Sequence, residues 1–408
     1  MYFDFRRFFR AIFLSFFRWR ESPAPFDAKR VAFLVSFTIG YSLVEVFNRF
    51  CFLLDDWLYP EWKQVRLNPP VFIVGNPRSG TTFTHRVMAK DEGQFFYFKA
   101  WEIFFPAIVQ KKALALLGRI DDRFGSPLEN IVRRIESRAF DDFNKMHRLS
   151  AFEPEEDDKL SLHIFSSLDL LWFFPFKELT VEFAHFDEML SDTEQDRIMG
   201  FYKDCIRRQA FFKGSSGRLL SKNPVCPPKV NSLLKHFPGC QFIYPIRNPL
   251  EVVPSMVNMA HEMWKATIRI PDGFPMQEDV YETLKYFYTY PLARFRSLPE
   301  HAYAVIRYED LVSHPKKTIE GIYERLGWSV SEAFSHILRQ EEEKARQYRS
   351  EHLYSLEALK ITKERILTDL KEIFLTYGFN SELSRDFKEE DVLMVQQRVD
   401  GSQLSGCS

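Results

Sequence analysis

Residues 71 to 82 read Val-Phe-Ile-Val-Gly-Asn-Pro-Arg-Ser-Gly-Thr-Thr, and this run constrains the fold more than any other part of the chain. Its four leading residues are β-branched or aromatic, which predicts a strand buried on both faces, as in a parallel sheet. A glycine-bounded loop follows, and hydroxyl residues then open a helix expected from Phe83 to Lys90. Strand, tight loop and helix N-terminus together form an anion cradle, because unpaired backbone N–H groups and the helix dipole converge on the same point.

The spacing from Gly75 to Gly80 is that of the nucleotide-binding loop G-x-x-x-x-G-K-[ST], but Thr81 stands where that motif needs lysine. The positive charge is Arg78 instead, inside the loop, so the pattern favours a phosphate-type site over an ordinary ATPase. A second apolar segment, Gln241 to Ile246, leads into Arg247-Asn248-Pro249 and a helix carrying Ser255. An arginine at a strand's C-terminal end and a serine two turns into the next helix can converge on one anion, at the edge where open α/β sheets bind ligands.

Together these segments resemble the sulfotransferases that use 3′-phosphoadenosine 5′-phosphosulfate (PAPS). In that family a Pro-Arg-Ser-Gly-Thr-Thr loop holds the 5′-phosphosulfate, and an arginine and a serine eight residues apart hold the 3′-phosphate. The resemblance assigns these roles to Pro77, Arg78, Ser79, Gly80, Thr81 and Thr82, and to Arg247 with Ser255. Further matches are Arg307-Tyr308-Glu309-Asp310-Leu311 with Pro315 and Leu326-Gly327, Trp101-Glu102, and His352, Tyr354 and Ser355; the last two sets are similar to a broad bacterial-type branch. The likeness covers about residues 55 to 380.

The resemblance implies a P-loop NTPase-like three-layer fold, a mostly parallel sheet flanked by helices, with PAPS as cosubstrate and no metal. It implies in-line sulfuryl transfer to a hydroxyl, with an amine as the second choice, driven by positioning and charge stabilisation. Many family members carry their base histidine in Lys-x-His; the equivalent stretch here is Ser221-Lys222-Asn223-Pro224, with proline at the histidine position. Other branches use a glutamate beyond the first loop, which makes Glu102 the expected general base; Lys222 is set against the bridging oxygen or the transferring sulfonate, and Arg78 stabilises the leaving phosphate. Against these roles stand plain structural ones: Glu102 capping a helix or pairing with a cation, Lys222 an ordinary strand-end lysine. The acidic run Glu153-Pro154-Glu155-Glu156-Asp157-Asp158 is expected at a helix N-terminus, with a substrate-side role for Glu155 or Asp157 left open. His163 is expected to be a packed histidine.

With 408 residues and 45% hydrophobic content the chain can bury a full core, and a net charge of −1 gives it no field for nucleic acid. The five cysteines, at 51, 205, 226, 240 and 407, form no C-x-x-C pair, which fits a reducing, cytoplasmic compartment better than a disulfide framework. The chain is expected to divide into an N-terminal helical extension (1–65), a catalytic domain (66–395) and a disordered tail (396–408). Within the first part, residues 1 to 20 interleave aromatic residues with Arg6, Arg7, Arg10, Arg18 and Arg20, as a basic amphipathic helix does. Residues 31 to 44 carry no charge, too short a run to span a bilayer before Glu45 and Arg49, which can pair four apart on one helical face. A peripheral or monotopic membrane contact through residues 1–54 is expected over a transmembrane span, the alternative being that both helices simply pack on the catalytic domain, and a small-molecule or lipid-linked acceptor goes with the membrane reading.

From residue 68 strands alternate with helices, with strands expected near 71–75, 218–222, 241–246 and 303–307, and a helical acceptor-side wall between 95 and 215. Lys344, Arg346 and Arg349 are expected to fold over the 3′-phosphate, although the family's glycine-containing basic loop is absent. The competing readings are a P-loop kinase or NTPase, and a non-catalytic membrane-associated scaffold with a degenerate nucleotide pocket.

Overall fold

The computed structural model describes residues 2–139, 150–270, 274–347 and 359–379. His352, Tyr354, Ser355, Arg349, the side chain of Arg346 and the 396–408 tail lie outside the described residues.

Five parallel strands form the centre: β1 (Asn68–Ile73), β2 (Phe95–Phe96), β3 (Arg218–Lys222), β4 (Gln241–Ile246) and β5 (Tyr303–Arg307), in the order β2-β3-β1-β4-β5. β1 lies in the middle because Val71, Phe72, Ile73 and Val74 are all fully buried and therefore need a helical layer on each side. Phe72 and Val74 face a core shared with Leu219, Phe242 and Tyr244. Val71 and Ile73 face the opposite core with Val87, Leu311 and Ile322. The period of two sorts adjacent residues into different layers.

The helices that matter for the site and its surroundings are α1 (Phe5–Phe17), α2 (Ala28–Leu58), α3 (Thr81–Met88), α4 (Ala100–Phe104), α5 (Ile108–Arg123), α6 (Pro127–Ala139), α7 (Asp192–Lys213), α8 (Pro249–Ile268) and α9 (Gln277–Phe295). α8 starts where expected because Asn248 caps it, its Oδ1 accepting from the Leu250 N–H, and Pro249 occupies the first turn. The 95–215 stretch holds β2 and several 3-10 turns, including Asp157–Ile164, as well as helices.

The N-terminal helices are part of the packed body. Phe8, Ala11, Leu14 and Leu34 form one core with Phe165, Leu170 and Phe174. α2 runs 31 residues, past Glu45 and Arg49, and each of these charges finds a partner in the body. Glu45 bonds His163 Nδ1 at 2.7 Å, and Arg49 donates to the His163 carbonyl, so the Glu45–Arg49 pair expected on one helical face gives way to two tertiary contacts. Asp55 accepts from the Ile108 and Val109 N–H groups at 2.8 and 2.9 Å and from Arg208 at 3.1 Å. A carboxylate at the end of α2 thus caps the start of α5. Asp121 repeats the arrangement at the end of α5, accepting from the Leu128 and Glu129 N–H groups at the start of α6.

Candidate active site

Three strand ends, those of β1, β3 and β4, and one helix start build the site. Gly75 leaves β1 against β4 so tightly that a Cβ would stand 2.4 Å from the Pro245 carbonyl oxygen. The chain then folds back on itself: Ser79 N–H and Oγ both donate to the Asn76 carbonyl. Arg78 sits at φ 69, an uncommon place for a side-chain-bearing residue, and Gly80 at φ 90 turns the chain into α3. The first intrahelical bond of α3 runs from the Thr84 N–H to the Gly80 carbonyl, so the N–H groups of Thr81, Thr82 and Phe83 lie ahead of it at the helix start, where an anion can be held.

Arg78, Arg247 and Ser255 come together although 169 residues separate the first two. Arg78 Nε donates to Ser255 Oγ at 3.1 Å, and Arg247 Nη1 donates to the Arg78 carbonyl at 3.1 Å. The Arg247 guanidinium lies 4.2 Å from the centre of the Tyr308 ring, and the Tyr288 hydroxyl donates to the Arg247 carbonyl at 2.7 Å. Tyr308 also limits the loop, since a Cβ on Gly80 would meet its ring at 3.0 Å. The remaining fork of Arg247 is held by Glu251 at 2.6 Å, an exposed pair one turn along α8.

On the other side of the loop, Lys222 at the end of β3 places Nζ 3.4 Å from Thr82 Oγ1 and 2.7 Å from Glu156 Oε1. The side chain is 2% exposed, so it is no solvent-facing strand-end lysine. The acidic run stands, as expected, at the start of a short helix, the 3-10 segment Asp157–Ile164 with Glu156 at its N-cap and Asp157 and Asp158 in its first turn, and its carboxylates are also held by side-chain partners. Glu155 pairs with Lys159 at 2.8 Å, Glu156 with Lys222, and Asp158 with buried Lys229. Asp157 accepts from Tyr202 and Ser221 at 2.7 and 2.8 Å, and burial pushes its carboxyl up to about 7. Each of these four carboxylates is matched by a cation or held largely as the acid below pH 7, which keeps an anion site next to them electrostatically possible.

Glu102 is elsewhere. It is fully buried, its Oε2 accepts from the Lys99 N–H at 2.7 Å and Gln209 at 2.8 Å, and Oε1 stands 2.6 Å from Lys213 Nζ. This is the capping and ion-pairing arrangement, and among the contacts of its carboxylate none is to the loop, Lys222 or Thr82. His163 is packed, bonded to Glu45 and to the Ile103 carbonyl. His85, behind the loop on α3, is held neutral: burial and then the Lys222 charge push it down to about 3. Lys344 pairs with Glu341 at 2.8 Å. Glu156 is the residue the sequence did not single out. Its run was visible, but only the fold shows which member of it reaches Lys222. A cleft of about 730 Å³ between Glu21–Pro23, Pro175–Glu178 and Pro275–Met276 contains none of these groups.

The residues present suit a bisphosphorylated nucleotide on the chemistry of the donor set. Arg78, Arg247 and Ser255 cluster on one side of the loop, Lys222 with Thr82 stands on the other, and the amide Nδ2 of buried Asn223, next to Lys222, has no partner within the protein.

A model of the sulfotransferase family matches residues 69–332. The chain belongs to this family. The enzyme is a sulfotransferase, and its matched region contains both strand–loop ends and Lys222. Among characterised relatives, the ω-hydroxy-β-dihydromenaquinone-9 sulfotransferases Stf3 of Mycobacterium bovis and Mycobacterium tuberculosis are each 27% identical over 332 residues, covering 77% of this chain and 76% of theirs. The crystal structure of sulfotransferase STF9 from Mycobacterium avium superposes with a TM-score of 0.69 at 18% identity, covering 86% of each chain. That of STF1 from Mycobacterium tuberculosis gives 0.59 at 17% identity, over 86% and 87% of the two chains. These solved structures share the fold of this sulfotransferase.

Proposed function

We propose that this sulfotransferase takes its sulfuryl group from PAPS and passes it to a hydroxyl of an amphipathic or lipid-linked acceptor. The observation that supports the donor is the Arg78–Ser255–Arg247 cluster, in which a loop cation, a helix hydroxyl and a strand-end guanidinium meet within hydrogen-bond distance. A 5′-phosphate alone needs only the loop; the second arginine is explained by a second phosphate. PAPS would be held by Pro77–Thr82 at its phosphosulfate and by Arg247 and Ser255 at its 3′-phosphate. Lys222 and Thr82 then flank the sulfonate, where charge redistributes as the bond to the leaving phosphate stretches. Glu156, beside Lys222, takes the acceptor's proton.

Calorimetric titration with 3′,5′-adenosine bisphosphate beside AMP tests the donor. The wild type should prefer the bisphosphate, and Arg247→Ala should lose about 3 kcal/mol, or about a hundredfold, of that preference, from two charge-assisted hydrogen bonds. A variant that keeps the wild-type preference removes Arg247 from the donor site. Magnesium–ATP binding in preference to both would support a kinase.

The acceptor reading draws on the Stf3 relatives, which are named for a menaquinone derivative, and on the apolar N-terminal helices, through which residues 1–54 touch the membrane periphery. Transfer of labelled sulfate to a total lipid extract, with soluble alcohols and phenols run in parallel, checks it. Label should enter the lipid fraction; label confined to soluble acceptors overturns it.

A further inference from the structure

Among the described residues, every exposed large apolar side chain except Met189 lies in two stretches, 5–58 and 104–135. The first stretch is α1 and α2. The second is α5 and α6 with the Phe104-Phe105 corner before them, and its sequence gave no hint of a surface role. The helices are neighbours in series, α1 on α2, α2 on α5 and α5 on α6.

The face is inverted relative to an ordinary surface helix. α2 turns Glu45, Asn48 and Asp55 into the body, where each is hydrogen-bonded, and turns Val35, Ile39, Leu43, Phe47, Phe50 and Trp57 outward. From Val35 to Trp57 that stripe is about 33 Å long. α2 is also the one described helix long and apolar enough to cross a membrane by length and composition. Its polar bolts to His163, Gln110 and Arg208 hold it flat against the body instead. α6 exposes Leu128, Ile131 and Ile135 on one side, and α5 exposes Leu117, Ile120 and Phe124. Contiguous apolar patches on monomeric soluble proteins rarely exceed a few hundred Å², roughly the area of one such helix face.

We propose that α1, α2 and the α5–α6 hairpin together form one monotopic docking face for an anionic lipid bilayer, with α5–α6 as the half tied to the segment that leads to Glu156. The occupant follows from charge. Exposed Arg6 and Arg10 stand between the phenylalanines of α1, Arg119 and Arg123 are exposed on α5 and Arg133 and Arg134 on α6; of these Arg10 pairs with Glu178 at 3.4 Å and Arg133 with Glu129 at 2.7 Å. Cations rimming an apolar face suit anionic headgroups over a hydrocarbon layer. A twofold contact with a second copy would instead bring these arginine-rich edges toward one another. Trp19 and Trp57, both exposed, supply the amphipathic rings that settle at a membrane interface.

The hairpin also reaches the chemistry. Glu136 on α6 accepts from the Ala151 N–H at 2.7 Å, and the segment from there, a turn at 151–153 and then a single bridge between Pro154 and Lys99, runs past α4, with Ala100 N–H bonded to the Glu153 carbonyl, to Glu156 at Lys222. Five residues of extended chain span at most about 18 Å. A membrane-embedded acceptor would thus present its polar end within one short segment of the proposed proton acceptor; this last step rests on the acceptor reading above.

Flotation of the full-length protein with vesicles of phosphatidylglycerol and phosphatidylcholine in equal parts tests the face. Deleting residues 1–54 would strip Leu14 and Leu34 from their core, so point variants are the right tool: Phe9→Glu on α1, and Ile131→Glu with Ile135→Glu on α6, each checked for an unchanged melting temperature. Both should weaken vesicle binding about tenfold or more. Loss with Phe9→Glu alone would leave the N-terminal contact standing and overturn the role of the hairpin. No flotation, with a dimer in sedimentation that the α6 variant splits, would assign the face to a second copy. A bimane placed at Leu128→Cys gives a readout independent of destabilisation: brominated lipid should quench it in the wild-type background, and an unquenched probe on floated protein overturns the hairpin's insertion.

Discussion

Glu156 holds Lys222 at 2.7 Å while Lys222 stands 3.4 Å from Thr82, so one carboxylate, one ammonium and one hydroxyl share the mouth of the anion loop. Glu102 has both oxygens engaged by Lys99, Gln209 and Lys213 in a fully buried position. Kinetics of the two glutamine variants separates their roles. Glu156→Gln should lower kcat by about 10²–10⁴-fold with donor affinity unchanged. Glu102→Gln should keep turnover per folded molecule within a few-fold and cost about 1–3 kcal/mol of stability, because it weakens a buried cap and leaves Lys213 less well paired. The reverse pattern would return the base to Glu102. The meeting of Arg78, Arg247 and Ser255 was legible because each follows a strand–loop pattern that is a local signal. The carboxylates were not, since Glu102 follows Trp101 at a suggestive distance while its partner Gln209 lies 107 residues away. Within the acidic run, four consecutive carboxylates look alike until Lys159, Lys222, Tyr202 and Lys229 sort them.

Strands β3, β4 and β5 run Arg218–Lys222, Gln241–Ile246 and Tyr303–Arg307, the bounds expected from their apolar runs and the residues that break them. β2 has two residues and therefore no periodicity to read. α2 is the instructive element. Its charge-free core was visible, but its continuation to Leu58 depends on Glu45, Asn48 and Asp55 meeting groups far along the chain, which no local pattern encodes. Asp55 is the strongest of these joints, capping α5 and pairing with Arg208, whose side chain is 5% exposed. Asp55→Ala should cost about 3–5 kcal/mol in urea unfolding, since it strands a buried guanidinium and two helix-start N–H groups together. A loss below about 1 kcal/mol would mean that water replaces the carboxylate and that α2 is held by apolar packing alone.

At the scale of the whole molecule, the three-layer sheet could be anticipated because alternating buried strands and helices leave few arrangements. Packing of the N-terminal helices on the body was one of two readings the sequence left open; that they share a core with residues 165–174 is a contact that hydropathy alone does not predict. Strand order is where sequence distance and spatial distance part most completely. Lys222 ends β3, the Arg78 loop leaves β1 and Arg247 follows β4, and these three strands lie side by side in the order β3-β1-β4. Neighbouring strands stand about 4.8 Å apart, so the three cations are carried on a row of roots about 10 Å wide whose pitch is set by backbone hydrogen bonds. Substituting any one side chain alters how hard that tooth of the comb grips. The spacing between teeth belongs to the sheet, and with it the distance between two anionic groups that the row can hold at once.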